Sequence, residues 1–105
     1  AWLATGSPGG SRIISTVFQL LVNLIDYKMD LATATEMPRI HSQWYPDQVA
    51  VESGISSDTL SLLAKMGHTV LSSNTQGSLQ SVMHIQQFFI GFADTRRLGA
   101  AVAFY

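Results

Sequence analysis

Cysteine is absent from the 105 residues of the chain. No disulfide framework and no thiolate chemistry can be built from it. That absence suits an oxidising compartment without fixing one. Charge is scarce as well. Asp, Glu, Lys and Arg make up 12% of the residues, against roughly 25% in an average globular chain. The formal net charge is -1 and the pI is near 6.3. Adjacent basic residues occur only at Arg96-Arg97, so the basic footprint of a nucleic-acid binder is missing. Long apolar runs are missing too. The stretch from Ile13 to Ile25 is broken by Ser15, Thr16, Gln19 and Asn23, and it is shorter than the roughly 20 residues of a bilayer span. The opening AWLATG has neither a basic n-region nor an h-region of proper length, so no signal peptide is read there. The histidines His41, His68 and His84 are too scattered for a metal motif. Each is expected to face solvent or cap an element, and no metal or cofactor is expected.

Apolar residues, by contrast, reach 47%. With so little charge to cover its surface, the chain is expected to associate with something or to be a slice of a larger protein. Trp2-Leu3-Ala4 reads as the tail of a strand whose beginning lies upstream. An apolar helix beside it also favours self-association.

The elements follow from periodicity and punctuation. A strand is expected over 2–5. A helix is expected over 11–28, with apolar residues at 13, 14, 17, 18, 21, 24 and 25. Leu20 and Val22 widen its apolar face, which predicts burial on most sides. Ser11 is the expected N-cap. Asp30 is placed to cap a shorter helix over 31–36, which Pro38 stops. Around the turn signal Pro46-Asp47 the pattern alternates, and Gln48 to Glu52 reads as a strand. Ser56 or Ser57 caps a helix over 58–66, with Leu60, Leu63 and Met66 on one face and Gly67 ending it. Strands are expected over 68–71, 79–86, 87–92 and 99–105, with a polar loop at 72–78. The order implies an α+β or layered α/β fold, helices packed on a sheet.

Between the first strand and the long helix lies TGSPGGSR, residues 5–12. The free N–H groups of a helix's first turn carry roughly half a positive charge between them, and glycine lets a ligand approach the backbone closely. Gly9-Gly10 can therefore hold a phosphate or form an oxyanion hole for acyl transfer; it can also be a turn that binds nothing. Named motifs narrow the choice. The serine-hydrolase elbow G-x-S-x-G lacks its first glycine here. The residue after Ser7 is Pro8, which has no N–H to donate to an oxyanion. Ser7 is thus rejected as a nucleophile. The G-x-G-x-x-G fingerprint and the P-loop lysine are both absent.

The strings GSPGGSRIISTVFQLLVNLIDY and ATEMPRIHSQWYPDQVAVESGIS, continued through DTLSLLAKMGHTV and GSLQSVM to ADTRRLGAAVAFY, resemble the C-terminal part of the gamma-glutamyltransferase (glutathione hydrolase) small subunit, over essentially the whole chain. The resemblance implies a segment of a four-layer αββα N-terminal-nucleophile hydrolase sandwich, residues 1–105 being one part of the small subunit whose upstream portion is missing. It implies a proenzyme that cuts itself into large and small subunits, whose new N-terminal threonine attacks a gamma-glutamyl amide to form an acyl-enzyme. By the same correspondence Gly9 and Gly10 are the oxyanion hole. The nucleophilic threonine has no counterpart here, since Thr5 lies inside the chain. The paired serines and the acidic and asparagine groups that hold the glutamyl moiety lie upstream as well. The segment alone is therefore expected to be inert. Its implied partners are the rest of the small subunit, the large subunit and a gamma-glutamyl small molecule, in the periplasm or outside the cell. The alternative is a small non-catalytic domain that binds an anion at Gly9-Gly10, or a purely structural homologue.

This chain departs from the family pattern in three places. Leu79 stands where the family has a threonine in G-S-T-Q, Thr95 interrupts Asp-Pro-Arg, and Phe104-Tyr105 replaces a terminal Gly-Tyr. Arg39 is read as a structural ion pair, with substrate steering as the minor reading. Asp94 with Arg96 or Arg97 is read as a turn stabiliser. Trp44-Tyr45 and Phe88, Phe89 and Phe92 are read as core or subunit contact. Ser7 is read as hydrogen bonding within its own loop, with substrate binding as the alternative.

Overall fold

The apolar run after the glycine turn is helical. In the computed structural model, which describes residues 1–97 and the backbone of 102–104, it forms α1, Arg12–Ile25. The second helix, α2, spans Leu31–Glu36, the limits expected from sequence. Its N-cap is Asp30, whose Oδ1 accepts the Thr33 N–H at 2.8 Å, while Thr33 Oγ1 donates to Oδ2 at 2.9 Å. That cap occupies a backbone donor the helix cannot satisfy itself.

By internal contacts the chain divides into two units, Ala1–Met37 with Gly77–Tyr105, and Pro38–Gln76. In the first, β1 (Leu3–Gly6), β5 (Gln80–Ile85), β6 (Phe88–Ala93) and β7 (Val102–Phe104) form an antiparallel sheet in the order β1-β5-β6-β7. The remainder of the expected strand at 99–105 lies outside the described residues. Register places Leu3, Met83 and Ile90 in one row and Thr5, Ser81 and Phe92 in the next. Because strand side chains alternate between faces, these two rows share a face. The helices cover that face. Leu20 and Leu24 of α1, Leu31 and Ala34 of α2, and Leu79 and Met83 make the buried core, with Leu3, Val17, Met29, Ile90 and Phe92 packed against it.

The helix α1 is not buried on most sides, contrary to the sequence reading. Only Thr16, Leu20 and Leu24 are buried, while Ile14 is 78% exposed and Phe18 64%. The apolar band is wider than the one face the sheet can cover.

In the second unit, β2 (Ile40–His41), β3 (Val49–Val51) and β4 (Val70–Ser72) form a sheet in that order. The first pair is antiparallel and the second parallel. The helix α3, Ser57–Lys65, makes the crossover between the parallel strands. Ser56 is its N-cap, with Oγ accepting the Thr59 N–H at 3.3 Å. The central strand β3 is buried throughout. No residue of α3 is buried; Leu60 and Leu63 are half-buried and Met66 is exposed, so the expected packing face is only partly used. Trp44 and Tyr45 are 89% and 83% exposed, which rules out the core role read for them. Their loop turns on Trp44 at φ +73°.

A buried polar cluster joins the ends of this unit. Arg39 donates its N–H to Glu52 Oε1 at 2.8 Å, and its Nη1 donates to the Gln76 carbonyl at 2.6 Å. Gln76 donates its own N–H to Glu52 Oε2 and its Nε2 to the Ala50 carbonyl. Arg39 is thus a structural residue held between backbone and carboxylate. His41, read as solvent-facing or capping, is buried, with Nε2 2.9 Å from Gln43 Oε1. His68 is exposed, and His84 stacks on Phe89 with ring centroids 4.6 Å apart.

Candidate functional site: the glycine turn before the long helix

The turn is built from backbone geometry that only glycine adopts easily. Gly9 has φ +135° and Gly10 φ +57°, values that L side chains rarely take. This geometry reverses the chain from β1 into α1. The Gly9 carbonyl accepts the Arg12 N–H at 3.0 Å, and the Gly10 carbonyl accepts the Ile13 N–H at 3.2 Å. Two of the orphan amides of the first turn are satisfied in this way by main chain.

Ser11 is therefore not the cap the sequence suggested. It is already helical, at φ -63° and ψ -19°, and its side chain makes no capping bond. The glycine carbonyls do that work one residue earlier.

The amides of the pair behave differently from their carbonyls. Among the described residues, neither the Gly9 nor the Gly10 N–H donates a hydrogen bond, and both residues are exposed. No acidic residue sits in the first turn of α1, so nothing there cancels the positive end of the helix. Such an arrangement suits an oxygen that carries or gains negative charge.

Ser7 is engaged within the loop. Its hydroxyl donates to the Pro8 carbonyl at 2.7 Å and accepts the Ser78 N–H at 2.9 Å. Behind it, Gly77 has φ +74°, and a Cβ built there would lie 2.8 Å from Ser7 Oγ and 2.9 Å from Thr16. The sequence reading missed this buttress of Gly77, Ser78 and Thr16. A glycine in a polar loop hinted at a turn, but a contact 70 residues away leaves no local mark. Thr5 lies inside β1 with Oγ1 2.7 Å from Ser81 Oγ.

Asp94 and Arg96 are brought together as expected, at 3.0 Å. Among the described residues no group of three His, Asp or Glu side chains could hold a metal ion, and no helix is long and apolar enough to cross a membrane.

The gamma-glutamyltranspeptidase family model matches residues 1–104. The glutathione hydrolase proenzyme of Escherichia coli K12 is 56% identical over 82 residues, covering 78% of this chain and 14% of that protein. The Bacillus subtilis 168 glutathione hydrolase proenzyme is 41% identical over 103 residues, covering 95% of this chain and 17% of that protein. This chain thus spans less than a fifth of the length of either relative. Among solved structures, an acivicin-inhibited gamma-glutamyltranspeptidase superposes with a TM-score of 0.89 at 37% identity, over 92% of this chain and 54% of that one.

Proposed function

The chain belongs to the gamma-glutamyltranspeptidase family, and from that premise we propose that residues 1–105 are the C-terminal part of a small subunit and supply the oxyanion hole for gamma-glutamyl transfer. In this reading the Gly9 and Gly10 N–H groups meet the carbonyl oxygen of a gamma-glutamyl amide as a nucleophile adds to it. The oxygen becomes anionic in the tetrahedral intermediate. Donors already aimed at it lower that barrier without having to reorganise. One such donor is worth about 3 kcal/mol, or 10²–10³ in kcat. Collapse of the intermediate expels the amine and leaves an acyl-enzyme, which water or an acceptor amine resolves.

The nucleophilic threonine and the groups that grip the glutamyl moiety come from the rest of the proenzyme. The remaining small subunit and the large subunit are therefore the partners, and a gamma-glutamyl compound such as glutathione is the substrate. A periplasmic or extracellular setting goes with this assignment.

One observation carries the reading: among the described residues, neither N–H of two adjacent exposed glycines before a 14-residue helix donates a hydrogen bond, while their own carbonyls are tied down. The decisive assay is release of a chromogenic amine from a gamma-glutamyl anilide. The isolated chain should show none. The proenzyme carrying the segment should show turnover that drops 10²-fold or more on Gly10→Val. Turnover by the isolated chain, or full activity in the Gly10→Val proenzyme, overturns the assignment.

A further inference from the structure

We infer that Ser7 is a positioning residue that aims the Gly9 N–H, rather than a group that touches substrate. The inference rests on the oxyanion-hole reading of the glycine pair.

The geometry begins with the peptide plane. The only cis peptide among the described residues is Tyr45–Pro46, so the Pro8–Gly9 bond is trans. In a trans peptide the C=O and the next N–H point in opposite directions. Whatever grips the Pro8 carbonyl therefore sets the direction of the Gly9 N–H. The Ser7 hydroxyl grips it, at 2.7 Å. The Gly10 N–H is set independently, because the Gly9 carbonyl is held by the Arg12 N–H at 3.0 Å. Two amides are aimed by two separate anchors, one a side chain and one the first turn of α1.

Ser7 needs support to do this. A hydroxyl has one proton to donate, and that of Ser7 goes to Pro8. The Ser78 N–H then donates to Ser7 Oγ at 2.9 Å and holds the oxygen from behind. Gly77 makes that approach possible, since a side chain there would strike Ser7 Oγ and Thr16. With its proton committed, Ser7 has no donor left for a substrate carboxylate. The same bond that aims the amide removes Ser7 from substrate binding.

The test uses the proenzyme carrying this segment, in three variants: Ser7→Ala, Ser7→Thr and Gly10→Val. Activity is measured per mature small subunit. Ser7→Ala should lower kcat about 100-fold, the scale of a misplaced catalytic contact, with KM little changed. Ser7→Thr keeps the hydroxyl and should recover most of the rate. A Ser7→Ala enzyme with a raised KM and normal kcat would mean that Ser7 binds substrate, and the inference would be wrong. A lowered Tm with both constants unchanged would make Ser7 merely structural and would also overturn it. Where Ser7→Ala matures too slowly to assay, the maturation rates of the Ala and Thr variants are compared; equal rates count against the proposal. Full activity in Gly10→Val sinks the oxyanion reading itself, whatever Ser7 does.

Discussion

Asp94 Oδ1 and Arg96 Nη1 lie 3.0 Å apart, and between them they tie two strands to a helix. Asp94 Oδ2 accepts the Leu79 N–H at 2.9 Å, and the Asp94 N–H returns a bond to the Leu79 carbonyl at 2.8 Å. Arg96 carries the link onward, donating to the carbonyls of Thr35 at 2.9 Å and Met37 at 2.8 Å. Asp94 is 1% exposed, so its charge has almost no water to fall back on. Removing it takes the carboxylate from the Arg96 guanidinium and the acceptor from the buried Leu79 amide. Asp94→Ala should destabilise the fold by about 3–5 kcal/mol, read from the urea midpoint. Asp94→Asn keeps an acceptor and should cost less. An unchanged midpoint in Asp94→Ala would show that the pair contributes nothing.

Gly77 and Gly67 make a controlled pair. Both have positive φ, +74° and +99°. A Cβ at Gly67 would meet nothing within 4 Å, whereas one at Gly77 would strike Ser7 and Thr16 below 3.0 Å. Gly67→Ala should therefore cost only backbone strain, about 1–2 kcal/mol. Gly77→Ala should cost that and a displaced Ser7 besides. Comparing the Tm of the two variants isolates the steric part, and equal losses would rule out a close approach at Gly77.

Asp30 gives a pH dependence with a definite sign. The Thr33 backbone N–H and then its hydroxyl hold the carboxyl below its ordinary value of 3.8. The charged form is thus favoured in the folded state. Its contribution is complete above pH 3.8 and is lost as pH falls below that, through the lowered folded value. The side chain is exposed, so solvent screening keeps the effect small. Asp30→Ala should cost about 1 kcal/mol at neutral pH and less below the titration, where the neutral carboxyl still accepts the Thr33 N–H. Parallel stability curves of the two proteins down to acid pH would contradict it.

Legibility in the sequence followed how local each cause was. The helix α2 was readable to the residue because its start, Asp30, and its stop, Pro38, both lie within a few positions of it. The glycine pair was legible for the same reason. The Ser11 cap was misjudged because the positive φ of Gly10 brings main-chain carbonyls to the helix start, and a propensity rule does not register that. The β5–β6 hairpin is closed by Gln86 and Gln87, with Ile85 opposite Phe88. Gln86 takes φ +54° without the glycine or asparagine that normally marks such a turn. The apolar strength of α1 was plain, but which part of it meets the sheet depends not only on the neighbouring β1 but also on β5 and β6, more than 50 residues away in sequence. Likewise the Ser7–Ser78 bond joins residues 71 apart, beyond the reach of any local pattern.

The uncovered side of α1 predicts behaviour in solution. Ile14, Phe18 and Ile25 are exposed, at spacings of four and seven residues that place them along one stripe of the helix. A stripe of this kind is normally covered. The isolated chain should sediment above its 11.4 kDa monomer mass. The double variant Ile14→Glu, Phe18→Glu should shift it toward monomer, since neither side chain belongs to the buried core. Sedimentation that is unaffected by the double change would place the association elsewhere.

The two glycines of the turn should not tolerate the same replacements. Gly10 has φ +57° and open space where a Cβ would go, the left-handed region that asparagine enters at modest cost. Gly9 has φ +135°, a region left almost entirely to glycine. If backbone direction is what the turn contributes, the proenzyme carrying Gly10→Asn should keep the amide in place and retain most of the parent proenzyme's activity toward a gamma-glutamyl anilide. Gly10→Val puts a β-branched side chain into the same region and should not. Gly9→Ala must rotate its own peptide to escape the strain, carrying its N–H off target, and should be the more damaging single-methyl change. The expected order of kcat is therefore parent, Gly10→Asn, then Gly10→Val and Gly9→Ala well below. A Gly9→Ala enzyme as fast as Gly10→Asn would mean that the direction of the Gly9 amide does not govern the rate.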